Sequence, residues 1–285
     1  MNKSLLVFSA KEYESRWKKV EMEMSIRGLE TAVIWGRTAS TFDRAADVIY
    51  LTNYFSTKVG QGFDSGKFRA RAYCAVLFRV GFEPILIADD PDVRKEVVAV
   101  SDFRVADNPV STLVDTLTSL KISGKVGFVG SDFFPMKYWN ELQKITPNLT
   151  WEICDNLVRA QRLIKSEEEQ EVIRIGGQIA SPAMTRMMKA LLSGKTEAEA
   201  AGLAAHDIVS AGGVIDKIQV SHGDTIGFTC GDPLTGYRKV APNSGDLFRA
   251  FLIGPMYQGY YLDPGRTAVC GNKPSSDQIN ILEAC

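Results

Sequence analysis

The chain has 285 residues, 45% of them hydrophobic and 24% charged, with a formal net charge of −1. This length allows two domains and the composition supplies apolar material for two cores, which excludes a disordered chain. Acidic and basic residues are interspersed throughout, so no electrostatic partner such as nucleic acid or an anionic membrane surface is expected.

The segment Met1–Ala10 has a short apolar run, Leu5–Phe8. It lacks the apolar stretch and small-residue cleavage site of a secretory signal. No apolar run approaches the ~20 residues that span a bilayer. Cys74, Cys154, Cys230, Cys270 and Cys285 make an odd number with no C-x-x-C pair. Neither a disulfide frame nor a zinc knuckle is expected, and a reduced cytoplasmic setting fits best. Cys74 and Cys154, beside apolar strands, read as small buried hydrophobes.

In the first half, Tyr13, Trp17, Val20 and Met24 recur at helical spacing after Ser9, a candidate N-cap. Thr31–Trp35 predicts a strand, and Asp47–Tyr54 is a second apolar segment. Tyr73–Phe78 and Pro84–Ala88, separated by Gly81-Phe82, predict a hairpin. Asp89-Asp90-Pro91 reads as a helix start. An amphipathic helix over Val110–Leu120, a strand over Lys125–Val129 and a helix over Pro135–Ile145 follow. The pattern is that of an α/β domain of mixed strand directions, assigned to residues 1–155. The glycine-rich stretch Gly60–Lys67 lacks the spacing of a phosphate-binding loop and reads as a surface loop.

The second domain is assigned to residues 156–285 and opens on Asn156–Ile164. Ser166 with Glu169, and Thr196 with Glu199, are two capping boxes that start two helices. Val172, Ile175, Ile179, Ala183 and Met187 form the apolar face of the first, and Gly212-Gly213 stops the second. Strands are predicted at Lys217–Val220, Ile226–Thr229, Leu247–Ile253, Gly259–Leu262 and Thr267–Val269. Helices followed by strands indicate an α+β domain, with helices on one face of a curved, mostly antiparallel sheet. Ile279–Cys285 reads as the start of a further helix with no stop signal, so the domain is expected to continue.

The stretch from Gly245 to Thr267 is the most informative. Gly254-Pro255 and Gln258-Gly259 are turn signals between two strands, and Asp263 ends the second strand before Pro264-Gly265-Arg266. The spacing alone fits a plain hairpin with a surface ion pair from Arg266. It also fits a cleft in which Asp263 is a general base or a metal ligand. His222, at a strand end, is a candidate acid/base near neutral pH. His206, mid-helix, reads as a helix-face residue, and Cys230 has no basic neighbour in sequence to activate it.

Two stretches resemble the creatinase, prolidase and aminopeptidase P family, whose catalytic domain is the pita-bread fold. Asn156–Ile173 is similar to the run that leads into that domain. Gly245-Asp246 … Gly259-Tyr260-Tyr261-x-Asp263-x-x-Arg266-Thr267 is similar to its hairpin signature. The first domain is similar to the family's creatinase-type N-terminal domain. The resemblance implies a hydrolase acting on a C–N bond, with water attacking a planar carbon, Asp263 holding a proton or a metal, and Arg266 supporting the acid cluster. It implies either no metal or manganese, zinc or iron if residues beyond Cys285 supply the remaining ligands, one His and two Glu in the family, together with a short-peptide or small-molecule substrate and a homodimer. Metal-dependent members place a first Asp eleven residues before the second. Counting back from Asp263 gives Leu252, which cannot bind a metal. Pro255-Met256 before Gly259-Tyr260-Tyr261 resembles metal-independent creatinase. That enzyme's substrate-side His has no counterpart in Phe228–Lys239, where Asp232 or Tyr237 is the candidate replacement. Tyr261 joins Asp232 and Tyr237 as a substrate-binding candidate. The alternatives are a non-catalytic relative that keeps a binding cleft and a lyase acting on a small zwitterion.

Overall fold

The structure is a computed structural model that describes residues 7–38, 44–56, 71–90, 95–227, 236–271 and 273–284. It divides into two compact units, Met1–Lys165 and Ser166–Cys285.

The first unit is built around a six-stranded sheet in the order β4-β3-β2-β1-β5-β6. In chain order its elements are α1 (Ala10–Ile26), β1 (Thr31–Arg37), α2 (Ala46–Thr52), β2 (Tyr73–Arg79), β3 (Ile85–Ala88), β4 (Asp102–Val105), α3 (Pro109–Ser119), β5 (Gly124–Val129), α4 (Met136–Ile145), β6 (Leu149–Ile153) and α5 (Asn156–Arg159). Ser9 caps α1 as its sequence position implies, its hydroxyl accepting from Glu12 N–H at 3.2 Å. β2 and β3 form the expected antiparallel hairpin, while β5 and β6 run parallel to β1. The apolar segment Asp47–Tyr54 is mostly helical rather than extended. Lys95–Val97, after the predicted helix start at Asp89–Pro91, is a single 3₁₀ turn.

Alternate residues of the central strands feed two cores. Ala32, Ile34, Val76 and Phe78 meet Val20, Met24, Val48 and Leu51 of α1 and α2. Val33, Trp35, Ala75 and Leu77 join a second core with Val110, Leu113 and Leu117 of α3 and Leu142 of α4. A sheet covered on both faces explains why its strands read as continuous apolar runs. Leu157 and Val158 are buried in the first of these cores. The unit boundary therefore falls between Lys165 and Ser166, later than the 155/156 division read from the sequence.

The second unit opens with α6 (Glu167–Leu192) and α7 (Glu197–Ser210), each started by its predicted capping box. The strands are β7 (Val214–His222), β8 (Leu247–Tyr257), β9 (Tyr260–Tyr261) and β10 (Gly265–Val269), followed by α8 (Ser276–Ala284). All pairings in this sheet are antiparallel, in the order β10-β8-β7 with β9 on β8. Ala183, Met187 and Leu191 of α6 and Ala200, Ala204 and Ile208 of α7 pack on Ile218, Val220, Phe248, Ala250 and Leu252. The α+β arrangement with helices on one face is thus as the sequence indicates. The strand predicted at Ile226–Thr229 is corrected: Gly223–Thr225 forms a 3₁₀ turn, Ile226 and Gly227 continue as a turn, and Phe228 and Thr229 lie outside the described residues. No described helix is long and apolar enough to cross a membrane.

Candidate active site

The hairpin of β8 and its return strand turns at Gln258-Gly259, with φ of 51° and 83°. Positive φ at both central residues is the twist-matched two-residue turn of antiparallel pairs. Below the turn the ladder shifts by one residue. Tyr257 pairs with Tyr260 and Met256 with Tyr261, but Phe251 pairs with Gly265 and Ala250 with Arg266. Gly254 N–H donates to Leu262 O at 3.0 Å, and Leu262 N–H donates to Pro255 O at 3.2 Å. Two residues of β8 therefore oppose Leu262, which is a β-bulge. Gly254 has φ +67°, and a Cβ there would stand 2.5 Å from Cε1 of Tyr261. Glycine is required at this position, and the ring of Tyr261 closes over it.

The bulge changes the meaning of the spacing in this hairpin. Leu252 N–H donates to Pro264 O at 3.0 Å, so the bonds at Leu252 and Gly254 bracket a pairing of Ile253 with Asp263. Cross-strand partners share a face. Asp263 thus lies with Ile253, Phe251 and Arg249 on the face opposite the helices, whereas Leu252 is fully buried in the helix-packed core. The position reached by counting back from Asp263 is consequently corrected. Leu252 and Asp263 point to opposite sides of the sheet, and the neighbours of Asp263 on its own face are Ile253 and Phe251. Phe251 lays its ring over Gly265. Arg249 donates from Nε to Ser221 Oγ at 3.1 Å.

Asp263 and Arg266 are both exposed. The Arg266 guanidinium donates to the carbonyl of Gly265 at 2.6 Å. His222 is placed elsewhere. It pairs with Phe248 and is buried on the helix side of the sheet. The Phe248 and Ile253 positions are about 17 Å apart along β8 at ~3.3 Å per residue. The structure does not bring His222 and Asp263 into one site, because strand alternation sends them to opposite faces.

His222 has instead a partner that the sequence did not disclose. Its Nδ1 lies 2.6 Å from Oε1 of Glu197, the first residue of α7. Both are nearly inaccessible, at 4% and 1% exposure. Nη1 of Arg238 lies 4.0 Å from the same carboxylate oxygen and donates to Thr225 Oγ1 at 2.6 Å. The Thr225 hydroxyl donates to the carbonyl of His222 at 2.9 Å. Burial raises the Glu197 carboxyl above its usual range, against the lowering effects of His222 and Arg238. A carboxylate can only accept, so when Glu197 is ionised the ring nitrogen facing it carries the hydrogen. The network fastens the start of α7 to the end of β7 and to the segment around Arg238. Glu197 stands next to the capping Thr196 and matches no spacing pattern. Its signal is tertiary.

Of the other candidates, Tyr237 is half-exposed, and its hydroxyl accepts from the Ile218 N–H of β7 at 3.3 Å. Asp232 and Cys230 lie outside the described residues. His206 is exposed beside Asp207, as its helix-face reading implies. A second tie missed by the sequence holds the hairpin tip, where Tyr260 Oη donates to Oε1 of Glu169 at 2.5 Å. The other oxygen of Glu169 completes the capping box by accepting from Ser166 N–H at 2.8 Å.

Among the described residues no group of three or more His, Cys, Asp or Glu side chains is arranged to hold a metal ion. Ile253 and Phe251, beside Asp263, bring no donor atoms. The described residues around Asp263 therefore do not by themselves make up a ligand set for manganese, zinc or iron.

Residues 171–285 match the model of "Metallopeptidase family M24". A Xaa-Pro dipeptidase of Pyrococcus horikoshii is 28% identical over 158 residues, which cover 52% of this chain and 41% of that protein. The match thus spans about two fifths of that relative's length. Among solved structures, a Xaa-Pro dipeptidase from Bacillus anthracis aligns with a TM-score of 0.74 at 17% identity, covering 95% of this chain and 68% of its own. The prolidase from Pyrococcus horikoshii OT3 aligns at 0.68 with 20% identity, over 94% and 68%. The X-Pro aminopeptidase from Thermotoga maritima MSB8 aligns at 0.66 with 18% identity, over 91% and 69%. The family match is thus confined to residues 171–285, the stretch with the bulged Gly-Asp … Gly-Tyr-Tyr-x-Asp-x-x-Arg-Thr hairpin, and the likeness to these solved structures shows a pita-bread fold.

Proposed function

We propose that this chain is part of a hydrolase of the Xaa-Pro peptidase type, which cleaves the C–N bond before a proline in a short peptide. The observation that carries the reading is the M24 match over 171–285, the stretch that contains Asp263, with the Xaa-Pro dipeptidase relative beside it. In this reading the exposed carboxylate of Asp263 takes a proton from the attacking water. Phe251 and Ile253 supply an apolar surface on the same face, suited to a prolyl ring. Arg249 supplies the positive charge that a peptide carboxylate needs. A homodimeric state and a cytoplasmic setting belong to the same proposal. An amidino substrate is a narrower variant of it.

A second reading, a non-catalytic relative that binds without turnover, is favoured by one observation: the apolar pair Phe251 and Ile253 beside Asp263. The two separate in an assay of the purified protein on Xaa-Pro dipeptides, matched dipeptides lacking proline, and creatine-like amidino compounds. Each is run after chelation and after addition of manganese, zinc or iron. The hydrolase reading expects proline release from the Xaa-Pro series. Binding without turnover in every metal condition would instead support the second reading.

A further inference from the structure

We infer that Lys217 sets a preference for an acidic residue before the proline, so that Asp-Pro and Glu-Pro are the favoured dipeptides, a specificity that rests on the peptidase reading of this face. In β7, Lys217 pairs with Ile253, Gln219 with Phe251 and Ser221 with Arg249. Ile218 and Val220, which alternate with them, are buried in the helix-packed core. Cross-strand partners share a face, so Lys217 stands on the face opposite the helices. It lies in one row with Ile253 and Asp263, on the far side of Ile253 from Asp263. Two strand spacings of ~4.8 Å put the backbones of Lys217 and Asp263 about 10 Å apart. Both residues are exposed.

These rows carry two cations, Lys217 and Arg249, and one carboxylate, Asp263. Arg249 is fastened in place. Its Nε donates to Ser221 Oγ at 3.1 Å, and its guanidinium carbon lies 5.8 Å from the centre of the Phe251 ring. Among the described residues, the side chains of Lys217 and Asp263 have no hydrogen-bond or ion-pair partner. With a prolyl ring over Phe251, Arg249 is placed for the C-terminal carboxylate of the peptide. The scissile carbon then lies over Ile253, in the row of Asp263, and the acyl side faces Lys217. A dipeptide with a neutral first residue has no second anion for Lys217, and its own α-ammonium group is repelled there. An aspartate or glutamate side chain gives Lys217 a charge-assisted hydrogen bond and offsets that repulsion. The flexible four-carbon stem of lysine accommodates either length. A basic first residue adds a like charge and is disfavoured.

The test is kcat and KM of the whole protein for Glu-Pro, Gln-Pro and Lys-Pro, under the metal condition that gives the fastest proline release. Glu-Pro and Gln-Pro differ in charge and hardly in shape. Wild type is expected to show a kcat/KM about 10-fold higher for Glu-Pro than for Gln-Pro, with the difference in KM. In Lys217→Met the ratio falls to about 1, and in Lys217→Glu the preference passes to Lys-Pro. Lys217 is exposed, so both variants keep the fold. A ratio of about 1 in wild type, or a wild-type ratio that survives in Lys217→Met, would overturn the inference and leave the peptidase reading standing. Release of proline from none of the three peptides by wild type would remove that reading and the inference with it.

Discussion

Replacing Glu197 by alanine is expected to destabilise the second unit by about 3–5 kcal/mol, the usual result of removing one member of a buried hydrogen-bonded pair. The substitution leaves His222 buried without its acceptor, and it removes the carboxylate near Arg238. It also cuts the side-chain link between α7 and the end of β7 at a place where Phe248, opposite His222, is fully buried. Glu197→Gln keeps the volume and an acceptor oxygen, so a smaller loss of about 1 kcal/mol is expected. The second unit has no tryptophan, so amide hydrogen exchange in peptides covering Glu197–Ser210 and Val214–His222 is the measurement. Protection within about 0.5 kcal/mol of wild type in the alanine variant would mean that the pair adds little.

The first unit has its own buried charge, and Arg16→Ala is expected to cost it about 3–4 kcal/mol. Arg16 is 1% exposed. Its Nε is 2.8 Å from Glu12 Oε1, and its Nη1 donates to the carbonyl of Tyr50 at 2.9 Å. The guanidinium carbon lies 4.3 Å from the ring centre of Phe8 and 4.4 Å from that of Tyr50. Alanine removes the ion pair, the bond to a buried carbonyl and both ring contacts at once. Lysine keeps the charge but not the planar fork that stacks between the rings, so it recovers part of the loss. Urea unfolding followed by tryptophan fluorescence reads the effect, and a loss below about 1 kcal/mol would show that Arg16 is replaceable by water and side-chain relaxation.

The distance over which each feature acts decides whether it could be read from the sequence. The capping boxes at Ser166/Glu169 and Thr196/Glu199 are local and are present as read. The runs Thr31–Trp35 and Tyr73–Phe78 are apolar because both faces of their sheet are covered, and they lie within β1 and β2. Strands β4 and β6 are not legible in the sequence. They are edge strands of partly exposed residues, with little apolar alternation. Asn156–Ile164 resembles the lead-in to a catalytic domain, yet burial of Leu157 and Val158 assigns it to the first unit.

At the candidate site the sequence identified the hairpin and Asp263 but could not show which way its neighbours face. A single bulge at Gly254-Pro255 changes the phase of β8 against its return strand, and a residue count has no access to that. His222 was singled out for its chemistry, but the residue that holds it is 25 positions away in sequence. Arg16 reads as an ordinary polar helix residue until Phe8 and Tyr50 are seen on either side of it.

The central claim is hydrolysis of an Xaa-Pro bond with Asp263 at the reacting centre. Its most direct test is turnover of one Xaa-Pro dipeptide by the wild-type protein and by Asp263→Ala, under the same metal condition. Asp263 is exposed, so the variant should fold, and hydrogen exchange in β8 and β10 verifies that it has. The account predicts proline release by wild type and a loss of at least about 100-fold in the variant. Equal turnover by the two proteins, or no release by wild type in any metal condition, would contradict it.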